Sequence, residues 1–187
     1  MRILYHHRIV ANDGMRVHVT QLVEALRGAG HEVFVVGPEP DDPNRRQTSL
    51  TVRFAGLRSR LPSWITELLE LAYNAVAYRR LNAVTRTFRP DIVYERHNLF
   101  LLAGIWLKNR RDIPLLLEVN APLTLERQQH GNLRLVRLAS ALEDHVWRRA
   151  DAVLAVSDIL ANQIKTDAGV PLARLHVIRN GVARRDI

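Results

Sequence analysis

The feature that most constrains this chain is a regular alternation. Short β-prone apolar runs are separated by longer stretches of helical periodicity. The first unit shows the pattern. Ile3-Leu4-Tyr5 reads as a buried strand and ends in a polar stretch from His6-His7-Arg8 to Asn12-Asp13-Gly14. A helix follows, with Val19, Leu22, Val23 and Leu26 on one face, closed by Gly28 and Gly30. Val33-Phe34-Val35-Val36 is the next strand. Strand, loop, helix and strand in that order place a glycine-containing loop at a helix N-terminus. Its backbone N–H groups and the helix dipole then favour an anion.

The same alternation continues to the end. Gly37 to Asn44 holds three prolines and reads as a loop, after which Leu50 to Phe54 is strand-like. From Trp64 to Thr87 the pattern is helical, with Ile65, Leu68, Leu69, Ala72 and Val76 on the apolar side. Ile92-Val93-Tyr94 is a strand that runs into Glu95-Arg96-His97-Asn98, and a helix is expected from about Leu99 to Arg110. Pro114 to Leu117 is another strand, ending in Glu118 and Asn120. A long helical region from Pro122 to Ala150 breaks near His130-Gly131-Asn132. Its second half carries Leu135, Leu138, Ala139, Leu142 and Val146 inward. Asp151 to Val156 is a strand, Ser157 caps a helix that Gly169 and Pro171 end, and Leu175 to Ile178 is a final strand before the turn at Asn180-Gly181.

Strands alternating with helices imply an α/β fold, a Rossmann-like, doubly wound and mostly parallel sheet with helices on both faces. In such sheets ligands lie beyond the carboxyl ends of the strands, at the switch in strand order. The polar segments after the strands at Ile3, Ile92 and Leu115 are therefore the candidate site. The switch is expected between the first strand and the one at Ile92. The cleft then lies between the loop at Gly14 and the strand ends at Arg96 and Asn120, with His18 one turn into the helix and Glu118 on the far wall.

Several chemistries are disfavoured by what the motifs lack. Asn12-Asp13-Gly14 is neither G-x-G-x-x-G nor a P-loop, and no acidic residue ends the second strand. No G-x-S-x-G elbow is present, and no histidine pair has metal-ligand spacing, so no metal is assigned. Carboxylates such as Glu95 and Glu118 just past buried strands are costly unless paired or exposed in a cleft. An Arg96–Glu118 ion pair is the structural alternative to a functional role.

Composition narrows the partners. With 27 Lys+Arg against 19 Asp+Glu the net charge is +8, which suits anionic ligands: phosphorylated small molecules, anionic lipid or nucleic acid. No nucleic-acid module is evident and aromatics are only 6%, so a nucleic-acid reading rests on charge alone. The absence of cysteine excludes disulfides and suits a cytoplasmic location. The short apolar start predicts no secretory signal, and the longest apolar run, Leu99 to Leu107, is too short for a membrane span. Arg53, Arg58, Arg60, Arg79 and Arg80 flank Leu57, Leu61 and Trp64, a pattern that suits peripheral contact with an anionic membrane face.

The order of these motifs resembles the N-terminal half of a GT-B-type glycosyltransferase of family 4. The resembling pieces are Met1 to Tyr5, Asp13-Gly14 with His18, Gly30-His31-Glu32-Val33 and Arg89 to Tyr94. Ile113-Pro114-Leu115 with Glu118-Val119-Asn120, Ala150-Asp151 leading to Val156-Ser157, and Val177 to Val182 complete the series. The resemblance spans the whole chain. It implies one half of a GT-B fold, with residues 1–180 forming the acceptor-binding domain, 181–187 beginning an interdomain linker, and the donor-binding domain absent. It implies retaining, metal-independent transfer of a sugar from a UDP- or GDP-sugar to a sugar, lipid or small-molecule acceptor, with no permanently bound cofactor. Gly14 and Asp13 map to the donor-phosphate loop, Asp13 standing where the family usually has a glycine. Asn120 takes the place of a histidine near the transferred sugar and, with Glu118, is the candidate catalytic group. His18, Arg96, His97 and Asn98 are the candidate acceptor-binding residues. The isolated chain is expected to be inactive. The alternative is a non-catalytic α/β module that binds phosphate or nucleotide.

Overall fold

The computed structural model describes residues 1–9, 14–37, 61–179 and 181, with the side chains of residues 14–16 outside the description. Asp13, the strand-like Leu50 to Phe54, the cations Arg53, Arg58 and Arg60, and the turn residue Asn180 lie outside the described residues. The elements run β1 (Arg2–His6), α1 (Gly14–Gly28), β2 (Glu32–Val36), α2 (Ser63–Phe88) and β3 (Ile92–Arg96). They continue through α3 (Ala103–Arg111), β4 (Leu115–Val119), α4 (Leu123–Gln129), α5 (Val136–Arg149), β5 (Ala152–Ala155) and α6 (Asp158–Ala168). A 3₁₀ turn (Leu172–Arg174) then leads into β6 (Leu175–Val177). The six strands form one parallel sheet in the order β2-β1-β3-β4-β5-β6. Chain order reverses between β1 and β3, where the alternation of motifs places the switch.

Side chains alternate across a strand, so each strand serves both faces of the sheet. On one face Ile3, Tyr5 and Val33 pack with Val19 and Val23 of α1. On the other, Leu4, Val93, Leu117 and Val153 pack with Ala77 and Leu81 of α2, Ile105 of α3, Val146 of α5 and Ile164 of α6. Helices cover both faces; among the described residues the first face carries α1 and the second four helices. The starts of the strands are tied by acidic side chains. Asp91 accepts the Arg2 backbone N–H at 2.6 Å, and Asp151 accepts that of Leu115 at 2.8 Å.

The break in the long helical region falls at residues 130–135, between α4 and α5, where His130-Gly131-Asn132 place it. One boundary and one helix face differ from what periodicity alone implies. α3 begins at Ala103, four residues later than expected. The segment before it is held by Asn74, which is fully buried. Its amide donates to the carbonyls of Leu71 and Phe100, while its Oδ1 accepts the Leu102 N–H at 2.6 Å. Phe100 takes a left-handed φ of 63° there, which ends any helical continuation.

α2 is also turned relative to its apolar pattern. Its buried residues are Glu67, Asn74, Ala77, Leu81, Thr85 and Phe88. Leu68, Leu69 and Val76, expected inward, are exposed. The polar residues decide the matter. The Glu67 carboxylate accepts the N–H groups of Arg134 and Leu135 at 2.8 and 2.7 Å, satisfying donors at the start of α5 that no helix bond can reach. Hydrophobic periodicity cannot register a buried glutamate.

A close approach fixes α3 against β3. A Cβ at Gly104 would lie 2.5 Å from Oε2 of Glu95, which is itself buried and bonded to Nδ1 of His6 at 2.6 Å. Gly104→Ala should therefore cost about 1–3 kcal/mol, because neither the helix nor the paired carboxylate can move freely. Gly28→Ala meets nothing within 4 Å and should be neutral or slightly stabilising. Chemical denaturation of the two variants checks the contrast; equal stabilities would refute it.

Candidate active site

The carboxyl ends of β3 and β4 carry the polar side chains that the sequence singles out. Arg96 stands beside Glu118 in the sheet register, and Glu118 beside Leu154 of β5. Two-residue alternation puts Tyr94 on the same face as Arg96, the face that α1 covers. The register sets Tyr5 beside Tyr94, and their rings stack at 5.2 Å.

Glu118 is the centre of the cluster. Its Oε1 accepts from Arg96 Nη1 at 2.7 Å and from Asn120 Nδ2 at 2.6 Å, and lies 3.2 Å from His18 Nε2. Its Oε2 accepts from the Tyr94 hydroxyl at 3.0 Å. The carboxylate is nearly inaccessible, yet four donors surround it, close to the capacity of its lone pairs. The arrangement satisfies the condition under which a buried charge is tolerated: a full counter-charge with hydrogen bonds to the remaining lone pairs. Burial, and then the negative charge of Glu118, hold the Tyr94 phenol far above its ordinary range. Tyr5 is raised by the same two causes in the same order. Both stay protonated in ordinary solution, so the Tyr94 hydroxyl remains a donor to Glu118.

A cavity of about 300 Å³ opens beside this cluster. His18, Gln21, Leu22 and Ala25 of α1 form one side, Tyr94, Glu118 and Leu154 its floor, and Ile178 and Arg179 beyond β6 the other side. Arg179 donates to Asp158 of α6 at 2.7 Å, which ties the chain after β6 to the helix after β5.

The structure thus brings His18, Arg96, Glu118 and Asn120 together. Gly14 is the first residue of α1, four residues before His18. His97 is placed differently. It is buried, with Nε2 bonded to Oε1 of Glu143 at 2.9 Å and its ring against Trp147. Glu143 also accepts the N–H groups of Leu123 and Thr124, so it holds His97 and the start of α4 at once. Asn98 is half-buried in the turn before α3. His6 turns to the four-helix face with Glu95, away from the cavity. The sequence reading missed Tyr94, Leu154 and Arg179. Counting back two residues from Arg96 would have found Tyr94. Among the described residues no group of three histidine or acidic side chains could hold a metal ion.

The family model for Glycosyltransferase Family 4 matches residues 12–185. A glycogen synthase of Mycobacterium tuberculosis is 26% identical, over 97% of this chain and 48% of that protein. A GDP-mannose-dependent alpha-mannosyltransferase of the same organism is 27% identical, over 91% of this chain and 44% of the other. The chain spans about half the length of these curated relatives. A glycosyltransferase from Rickettsia africae superposes with a TM-score of 0.55 at 13% identity, covering 97% of this chain and 43% of that one, which establishes likeness of fold.

Glu118→Ala would leave the guanidinium of Arg96 and the hydroxyl of Tyr94 buried without their acceptor. The expected loss is about 3–5 kcal/mol, the usual result of removing one partner from a buried pair. Urea denaturation measures it; a loss under roughly 1 kcal/mol, the range of an exposed pair, would refute the hub description.

Proposed function

Because this chain belongs to Glycosyltransferase Family 4, we propose that it is the acceptor-side domain of a retaining, metal-independent glycosyltransferase. The enzyme moves a sugar from a UDP- or GDP-sugar to a hydroxylated acceptor. The observation that carries this reading is the cavity beside the Glu118 cluster, at the carboxyl ends of the strands and beside the switch in strand order. A transferase needs there a place for an acceptor hydroxyl next to a place for a diphosphate.

In this reading Gly14 and Asp13 face the donor diphosphate, where the α1 N-terminus offers unpaired N–H groups and a positive dipole end. Asn120 faces the transferred sugar, and His18, Arg96 and Asn98 the acceptor. With its lone pairs engaged by four donors, Glu118 acts through its neighbours, as the residue that positions His18 and Asn120. His97 holds the β3–α3 turn from beneath through Glu143. The family match favours catalysis over a module that binds phosphate without reaction.

The test uses the 187-residue chain and any longer product of the same gene, each with UDP-glucose or GDP-mannose and a panel of acceptors, with EDTA present. The longer product should transfer sugar with the donor's anomeric configuration kept, read from the anomeric proton coupling, and the chain alone should be inert. Turnover by the pure chain, inversion, or loss of activity in EDTA would overturn the corresponding part. Gly14→Val should lower transfer roughly a hundredfold by displacing the diphosphate, while Thr20→Val on the helix body should not.

A second reading concerns location, and an observation favours it. Trp64, Leu68, Leu69 and Val76 are exposed along α2, with Arg79 and Arg80 exposed on the same helix. We propose that this stripe rests on the cytoplasmic face of an anionic membrane, apolar side chains in the interface and arginines at the headgroups. No helix among the described residues is long and apolar enough to cross a membrane. Sedimentation should recover the chain with phosphatidylserine vesicles at low salt, each of the two arginines contributing about 1 kcal/mol. Equal recovery on neutral vesicles would exclude the charge contribution, and recovery on neither would exclude the membrane.

A further inference from the structure

The lining of the cavity is divided chemically. His18, Tyr94 and Glu118 form a polar patch, whereas Leu22, Ala25, Leu154 and Ile178 are apolar, with Gln21 and Arg179 as the polar residues beside them. Ile178 is 58% exposed, so a ligand that covers it removes apolar surface from water. Glu118 is adjacent to Leu154 in the register, so the polar and apolar parts meet on the sheet floor.

The protonation pattern of His18 follows from its neighbour. Glu118, ionised beside Arg96, can only accept, so the His18 Nε2 that faces it carries the hydrogen. The lone pair of the neutral ring is then on Nδ1. No hydrogen bond reaches Nδ1 among the described residues, and the side chain is 21% exposed where it lines the cavity. Among the described residues, then, an acceptor without a donor belongs to a side chain that lines the cavity together with Leu22, Ala25, Leu154 and Ile178.

We propose that the cavity takes an amphipathic alcohol. A hydroxyl of the ligand donates to Nδ1 of His18, and an apolar portion next to that hydroxyl packs on Leu22, Ala25, Leu154 and Ile178. The identification of this alcohol as the substrate that receives the sugar rests on the transferase reading; its binding does not. Glu118 is a positioning residue in this scheme, since it sets which ring nitrogen is free. Purely polar sugars satisfy one half of the site and are discriminated against by the other.

The probes are octyl β-D-glucopyranoside, kept below its micelle concentration, and methyl β-D-glucopyranoside, both titrated into the 187-residue chain without any donor. Long-range ¹H–¹⁵N spectra of the histidine rings, with His18→Gln to assign the resonance, read the tautomer. The expected result is an Nε2–H ring whose Nδ1 resonance moves on adding the octyl glycoside. Calorimetry should show the octyl compound binding at least about a hundredfold tighter than the methyl compound, as several buried methylenes require. Ala25→Trp, on the exposed side of α1, should fill the apolar part and abolish the difference while leaving the tautomer unchanged. An Nδ1–H tautomer, equal affinities for the two glycosides, or undiminished binding to Ala25→Trp would each overturn the proposal. None of these readouts involves turnover, so they can fail while the transferase assay succeeds, and the reverse.

Discussion

A buried carboxylate must find donors, and this requirement shapes most of the structure. Glu67, Glu95, Glu118 and Glu143 are all at most 5% exposed. An ionised carboxylate in such surroundings is tolerated only with hydrogen bonds or a counter-charge, at a cost of several kcal/mol otherwise. Two of the four find them at helix starts, where the first N–H groups have no partner within the helix. Glu67 accepts from Arg134 and Leu135 ahead of α5, and Glu143 from Leu123 and Thr124 at α4. Glu95 lies against Gly104 at the start of α3 and bonds to His6. These acids tie elements far apart in sequence, and they set where the helices dock more sharply than apolar contact does. Packing is tolerant of a shifted rotation; an unpaired acid is not.

That dependence explains which parts of the fold could be read from the sequence. Strands appear as apolar runs, so Ile3, Ile92 and Leu115 were legible, as was the reversal of strand order between the first strand and the one at Ile92. The break before α5 is announced by Gly131, and Ser157 by its place before a helical period; its Oγ accepts the Leu160 N–H. The orientation of α2 was not legible. Leu68, Leu69 and Val76 are more apolar than Glu67 and Asn74, yet the latter pair is buried, because each has partners on other elements, 26 to 68 residues away in the chain. The delayed start of α3 has the same origin in Asn74. Sequence periodicity describes what one element prefers; these residues answer to another element's unsatisfied donors.

The candidate site was legible in part for a related reason. Arg96 and Glu118 stand at the ends of buried strands, where charge is conspicuous, and their pairing follows from adjacent strands in register. Tyr94 was hidden inside an apolar run, and only the two-residue period reveals that it shares a face with Arg96. His97 illustrates the reverse error. It follows Arg96 directly and looks like part of the same polar quartet, but alternation sends it to the other face, where Glu143 holds it.

The same alternation divides labour between the two faces of the sheet. Glu95 and Arg96 are neighbours in sequence, but Glu95 faces four helices and is sealed with His6, while Arg96 faces the side on which, among the described residues, α1 packs. On the sealed face the acid has one arrangement open to it, locked by a glycine with no room for a methyl group. On the other, the acid gathers four side-chain donors and borders a cavity. A cluster built of side chains can exchange a partner for a ligand more readily, because its donors are separate side chains on α1, on β3 and just past β4 that can turn one at a time. Backbone donors at a helix start cannot. The proposed site therefore uses the Glu118 face, and the rigidity that keeps Arg96 and Glu118 in register is supplied by the face behind it.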